Sequence, residues 1–291
     1  MNNEPLFSVL IANYNNGRYI AGAINSVLKQ TYKNVEIIIV DDCSTDNSLK
    51  ILEPYININT IKLAQNECNR GCGFTKRRCA ELASGDFCGF LDPDDELLPN
   101  AIETMVQAHI QYPNCSLIGS QSYTCNKYLK PIGISKHIVI PLGYSYLTYG
   151  HHAAYHFATF KRELYEKTSG ISEEVTHAVD QDLNFKLDEV GDVLFLKQVL
   201  YKYRHHKGGI SISDAGTGKA RYWHIILLYE AYKRRGIQGA EKKAVALITR
   251  PYHTYKYRFG NLFLAPIEYL IKWGKWGWFA LKINIATLTK K

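Results

Sequence analysis

The chain has 291 residues, 46% hydrophobic and 21% charged, which is the composition of a globular protein with length to spare beyond one main domain. Its seven cysteines form no Cys-x-x-Cys pair, so neither a disulfide framework nor a zinc site is indicated, and the start has no basic n-region or small-residue cleavage site, so secretion is not expected. All of the net charge of +8 lies beyond residue 236, where ten lysines and arginines face only Glu241 and Glu268; this argues against a nucleic-acid-binding main domain, which would carry its own basic patch.

The first strand is expected at Phe7–Ala12, closed by the turn-rich Asn13–Gly17. Ile20, Ile24, Val27 and Leu28 then fall on one helical face, and Gln30–Asn34 breaks the pattern. Val35–Val40 is a nearly continuous apolar run, as a parallel strand covered on both faces requires, and it ends in Asp41-Asp42. Strand, helix, strand implies a right-handed crossover. Ser44–Asn47 offers caps for a short helix stopped at Pro54, Thr60–Ala64 reads as a strand, Phe74–Ser84 as a helix closed by Gly85, and Phe87–Leu91 as the next strand. Ile102, Met105, Val106, His109 and Ile110 form a helical stripe that Pro113 ends, with His109 at the edge of the core. Residues 121–150 are expected to be mobile loops over an acceptor pocket. Ala154–Phe160 reads as a further strand, with His151, His152 and His156 beside it as either surface or binding groups.

Asp92-Pro93-Asp94-Asp95 follows the Phe87–Leu91 strand directly, and proline favours an extended residue before it, so carboxylates cluster at the strand's carboxyl edge. Crowded carboxylates in a cleft need a cation or hydrogen-bond donors, and hard oxygen ligands suit Mg2+ or Mn2+, which also hold phosphates. The competing reading is a solvated acidic turn. An EF-hand is disfavoured, because Leu97 stands where its glycine belongs. Asp41-Asp42 ends a second strand in the same way, and ligands of open α/β sheets bind outside the carboxyl ends of strands. The chain has neither Gly-x-Gly-x-x-Gly after the first strand nor a P-loop motif, so phosphates are expected to be held through metal.

Five stretches carry a resemblance to a known family: Ser8–Asn15, Ile38–Asp46, Phe90–Asp95, Val179–Leu183 and Tyr203–His206. In this order and spacing, over about residues 6–212, the chain resembles the family 2 glycosyltransferases, which are inverting enzymes. The resemblance implies an α/β, Rossmann-like nucleotide-diphospho-sugar transferase fold of GT-A type, with a mostly parallel central sheet. Domains would then run over residues 1–235, with a nucleotide-binding half to about 115 and an acceptor half from 116, followed by a tail over 236–291. The resemblance also implies a nucleotide-sugar site at Ala12, Tyr14, Asn15, Asp42, Lys76, Asp92 and Asp95. Within it, Ala12, Tyr14 and Asp42 would border the base, and Asp92 the ribose-phosphate side. Asp94 would bind the metal, with His206, or His205 in reserve, as a further ligand. Three positions depart from the family's usual pattern: Lys76-Arg77 replaces an Arg-Asn pair, Val179 an acidic residue, and Cys43 a glycine that supplies positive φ.

Displacing a nucleoside diphosphate from an anomeric carbon needs neutralised leaving oxygens and a base for the acceptor hydroxyl. Asp180 is the expected base and Asp182 the reserve; the bland alternative is that Asp180 only caps the helix 182–190. The expected function is transfer from a nucleotide-diphospho-sugar, taken as a UDP-sugar, to a saccharide or lipid-linked saccharide in bacterial surface polysaccharide synthesis. The alternatives are a non-catalytic nucleotide-sugar or carbohydrate-binding protein and a sugar nucleotidyltransferase. In the tail, Glu268, Lys272, Lys275 and Lys282 form a polar stripe against a broad face that includes Trp273, Trp276 and Trp278. That composition suits a basic, aromatic helix lying on the anionic inner face of the cytoplasmic membrane; the competing reading packs it on the main domain or on a second subunit, as in a homodimer.

Overall fold

The computed structural model describes residues 4–135, 139–150, 156–206, 208–209 and 219–239. The chain divides into two units, Met1–Ala231 and Tyr232–Lys291. Of the second only residues 232–239 are described, so the tail expected at a membrane lies outside the described residues from 240 on.

The alternation expected from the sequence builds the first half. It runs β1 (Phe7–Asn13), α1 (Ile20–Leu28), β2 (Val35–Asp41), α2 (Ser48–Leu52), β3 (Ile61–Gln65), α3 (Cys72–Leu82) and β4 (Phe87–Phe90). The four strands lie in the order β3-β2-β1-β4, all parallel. Their apolar runs are buried on both faces: Val9, Leu10, Ile11, Ile38, Ile39 and Val40 are fully inaccessible. Val9, Ile11, Ile37 and Ile39 share one core with Ile24 of α1. Leu10, Ile38 and Val40 alternate to the opposite face. Each such buried aliphatic side chain contributes about 1.5–3 kcal/mol. Leu28 departs from the expected apolar stripe and is exposed, as the last residue of α1.

The second half comprises β5 (Glu96–Leu97), α4 (Ala101–Gln111), β6 (Cys115–Cys125), β7 (Pro131–Ile134), β8 (His156–Lys161), α5 (Arg162–Tyr165), α6 (Val179–Leu187), β9 (Asp192–Arg204) and α7 (Lys219–Arg234). Here the parallel order gives way. β8 joins β4 and β6 antiparallel, β6 runs parallel to β9, and β5 and β7 pair antiparallel with β9 and β6, so the nine described strands make one mixed sheet. Part of the expected loop region is strand: β6 continues to Cys125 and β7, over residues 131–134, returns beside it. His109 belongs to the core, stacked on Phe87 and bonded to Thr159, and burial lowers its pKa to about 3. Ile110, by contrast, is exposed.

Chain order reverses between β1 and β4, where β1 continues to β2 on one side and α3 delivers β4 on the other. The carboxyl ends of these strands therefore open a crevice of the kind that binds ligands in α/β sheets. No helix among the described residues is long and apolar enough to cross a membrane.

Candidate active site

The β1 and β2 ends are tied together by short polar side chains. Asn13 Nδ2 donates to Asp41 Oδ1 (2.7 Å), and the Ser44 backbone amide and hydroxyl donate to the same carboxylate. Asn15 accepts from the Thr45 amide at 2.8 Å and is exposed, as is Tyr14, while Ala12 is half-buried. Cys43 has φ +58°, so the backbone keeps the left-handed conformation anticipated at this position without the glycine that favours it. Such a conformation costs an L-residue about 1–2 kcal/mol, part of which a glycine returns through its freer unfolded chain. Cys43→Gly is expected to stabilise the protein by about 0.5–1 kcal/mol, read as a higher urea midpoint; a lower midpoint would contradict this.

Asp42 is buried, and its carboxylate is filled by donors of the protein itself: Asn66 Nδ2 (2.7 Å) and the amides of Arg70 (2.8 Å) and Gly71 (2.8 Å). It thereby pins the loop that starts α3. Gly71 has φ +88°, and two residues on Gly73 lets α3 lie against the 172–175 backbone, where a Cβ would come within 2.5 Å of the Ser172 and Val175 carbonyl oxygens.

That approach places Lys76 beside α6. Its Nζ lies 2.7 Å from Asp180 Oδ1 and 3.3 Å from Asp92 Oδ1, and its side chain is only 8% exposed. Burial pulls Lys76 down, but Asp180 and Asp92 outweigh it and hold the ammonium well above its ordinary pKa. At Asp180 burial acts upward and the Lys76 cation overcomes it, leaving the carboxyl below the usual range; at Asp92 burial, with Asp180 and Asp94 nearby, wins and raises it. Arg77 turns away to Glu81 and the carbonyls of Ser169 and Ile171.

The two aspartates of α6 have different surroundings. Ala178, not Asp180, is the N-cap, and no side chain caps the helix. Asp180 is 58% exposed at the cleft. Asp182 is 1% exposed, accepting from the Ser172 amide (2.7 Å) and Lys186 Nζ (2.8 Å), a lysine that also donates to Gly170 O and Ser172 Oγ. Val179 is buried with the core, so no second carboxylate stands beside Asp180 at that position.

The Asp92–Asp95 turn is held by β9, which the sequence pattern did not reveal as a strand. Tyr201 donates to Asp95 Oδ2 (2.8 Å) and accepts from the Asp92 amide (3.2 Å), while the Arg204 amide reaches Asp95 Oδ1 (2.7 Å) and its Nε the Asp94 carbonyl (2.5 Å). Asp95, expected at the donor, is thus 1% exposed and turned into the protein; burial, then Asp94 and Asp92, push its carboxyl well above the ordinary range. Tyr201 was missed, and Arg204, inside the Tyr203–His206 stretch, was given no role, because their partners lie more than 100 residues away. The available signal was the alternation of residues 200–204. His156 enters the cleft, stacked on Tyr201 and Tyr203 at centroid distances of 5.4 and 4.4 Å. His151 and His152 lie outside the described residues.

Immediately after β9, His206 Nε2 meets Asp94 Oδ2 at 2.7 Å. His205 is exposed, its ring against Tyr203. Among the described residues no three His, Cys, Asp or Glu side chains gather as a metal cage. One carboxylate oxygen and one imidazole nitrogen at a single point are nevertheless a donor set that fits Mn2+ or Mg2+ when substrate phosphates and water fill the remaining positions. The arrangement thus joins a candidate phosphate and metal corner (Asp94, His206), a buried cation (Lys76) and an exposed ionised carboxylate (Asp180).

The glycosyl transferase family 2 pattern matches residues 8–169. Hyaluronan synthase of Pasteurella multocida is 29% identical over 243 residues, 81% of this chain and 24% of the relative. The Escherichia coli UDP-Glc:alpha-D-GlcNAc-diphosphoundecaprenol beta-1,3-glucosyltransferase WfgD is 35% identical over 148 residues, 45% of this chain and 58% of that one. The chain spans about a quarter to a third of the length of the first curated relatives it matches. Among solved structures, Staphylococcus aureus TarS 1-349 in complex with UDP-GlcNAc superposes with a TM-score of 0.66 at 22% identity, over 78% of this chain and 66% of that one; at this identity the likeness concerns the fold, a mixed α/β sheet of GT-A type.

Proposed function

The chain belongs to glycosyl transferase family 2, and we propose that within it the protein is a metal-dependent, inverting transferase that moves a sugar from a UDP-sugar to a saccharide or lipid-linked saccharide in bacterial surface polysaccharide synthesis. The observation that carries this reading is the Lys76 ammonium between Asp92 and Asp180, 2.7 Å from the latter, because it joins a phosphate-neutralising cation to a carboxylate kept ionised. The relative named for UDP-Glc and a diphosphoundecaprenol acceptor supports the donor and acceptor classes.

In this reading Asp94 and His206 would hold a divalent ion, which when bound supplies Lewis-acid neutralisation of the leaving diphosphate. Lys76 adds a second positive charge at the leaving oxygens. Asp180 takes the proton from the acceptor hydroxyl as that oxygen attacks the anomeric carbon from the face opposite the diphosphate, so the configuration inverts. Ala12, Tyr14 and Asn15 line the nucleotide end, with Asp92 on the ribose-phosphate side. Asp42 and Asp95 act by fixing the loops that present these groups.

The test is incubation of the protein with manganese and a panel of UDP- and GDP-sugars, with saccharide or lipid-linked acceptors. Nucleotide release from a UDP-sugar is expected; tight donor binding without turnover would favour a binding protein instead. Asp180 works deprotonated, so activity falls as pH drops through its pKa, which Lys76 holds down. Lys76→Met should move the acid limb of kcat/KM to higher pH, while Lys76→Arg leaves it near wild type; coincident limbs in all three proteins would contradict the ion pair's role.

For the tail beyond residue 236, the basic excess and the tryptophans support peripheral attachment to an anionic cytoplasmic leaflet, at about 1 kcal/mol per basic residue near the surface. Sedimentation with phosphatidylserine vesicles should be salt-sensitive and lost on truncation after Gly260; equal binding by the truncated protein would overturn it.

A further inference from the structure

The cleft at Asp180 contains a small, partly open slot of about 30 Å3, lined by Lys76, Asp92, His156, Asp180, Asn184 and Tyr201 among others. Asn184 stands one helical turn after Asp180 on α6 and is 1% exposed. Its amide is held by the Tyr146 hydroxyl, yet its Oδ1 is buried without a hydrogen-bond partner. Tyr146 is itself fixed: it is fully buried against Phe185, and its backbone amide donates to Asp188 at 2.8 Å. The orphan acceptor therefore cannot swing away to find a partner without breaking this hold. Buried polar atoms are nearly always satisfied, and each exception calls for a missing donor. The slot has room for one or two water-sized groups, which is the size of a sugar hydroxyl.

We propose that Asn184 determines sugar specificity by accepting a hydrogen bond from one hydroxyl of the transferred sugar. The inference rests on the glycosyltransferase reading above and deepens it. The donor sugar rather than the acceptor is the occupant for two reasons. It is bonded to the diphosphate that Lys76 neutralises, and Lys76 lines this same slot. A slot of this small volume also takes a single free hydroxyl of a monosaccharide, whereas a longer acceptor needs an extended groove. A donor lacking that hydroxyl leaves Asn184 Oδ1 unpaired in the complex, and a site built around a hydrogen bond discriminates strongly against an analogue that cannot make it.

The test compares kcat/KM, for transfer and for donor hydrolysis, between the UDP-sugar that the wild-type protein uses and its monodeoxy analogues. One deoxy position should cost the wild type between about 5-fold and 150-fold. Asn184→Leu and Asn184→Ala should each remove that penalty to within about twofold at that position alone, while Tyr146→Phe, which keeps Oδ1 but releases the amide that holds it in place, should lower the penalty without abolishing it. An unchanged penalty in both Asn184 variants would overturn the proposal and leave an ordered water as the partner of Oδ1. Relief seen only with deoxy acceptors would overturn the assignment to the donor. Failure of the wild type to transfer or hydrolyse any nucleotide-sugar would instead remove the glycosyltransferase reading, and this inference with it.

Discussion

Asp180→Asn is expected to lower kcat by about 10²–10⁴-fold while leaving folding and UDP-sugar binding close to wild type. The amide keeps the shape of the side chain but cannot accept the acceptor's proton, and a positioned base contributes a factor of this size in the transition state alone. The side chain is 58% exposed, and the buried Lys76 keeps Asp92 at 3.3 Å as its counter-charge, so the substitution leaves no buried charge without a partner. Asp182→Ala should behave in the opposite way. It strips a 2.8 Å partner from Lys186, which is 4% exposed, and frees the Ser172 amide, so it should cost about 3–5 kcal/mol of stability. Thermal melts and kinetics on the two variants check both halves together. A stable, inactive Asp182 variant beside an active Asp180 variant would exchange their roles.

The second large effect is expected at Asp94. Asp94→Asn removes the charged oxygen at the only described point where a carboxylate of the turn meets an imidazole, 2.7 Å from His206. If a divalent ion supplies several kcal/mol at the leaving diphosphate, its loss lowers kcat/KM on the order of 10²-fold or more, at 1.36 kcal/mol per decade. The manganese concentration for half-maximal activity should rise in parallel. His206→Ala should weaken manganese dependence in the same direction, whereas His205→Ala should not, since His205 is exposed beside Tyr203. Wild-type manganese response in Asp94→Asn would remove Asp94 from the metal site.

The halves of the fold differ in how far they could be read from the sequence, and the reasons are physical. β1, β2 and β4 carry nearly continuous apolar runs, with Ser8 and Glu36 as buried polar exceptions, because both faces are covered, so they stand out in any window. β9 is half-buried over much of its 13 residues and interleaves Lys197, Lys202 and Arg204 with apolar side chains, which gives no comparable run. It is also the strand that supplies Tyr201, Arg204 and the approach to His206, so the candidate metal corner could be placed only through motif resemblance. The aspartates themselves were visible at strand ends, but the direction of each carboxylate was not. Asp42 and Asp95 occupy the same kind of position as Asp92 and Asp94, yet backbone amides 28 to 109 residues away decide that they face inward. The left-handed backbone at Cys43 was legible only through the family resemblance, whose usual glycine at this position supplies positive φ. Lys76 and Asp180, 104 residues apart, could be joined only by the close approach at Gly73.

The most direct measurement is the anomeric configuration of the transfer product. With a UDP-sugar, manganese and a saccharide acceptor, the one-bond and vicinal couplings at the new glycosidic carbon, read by NMR, should show the configuration opposite to that of the donor, because one carboxylate, Asp180, serves a single in-line displacement. A product that retains the donor's configuration would contradict the assignment of Asp180 as a base for direct attack.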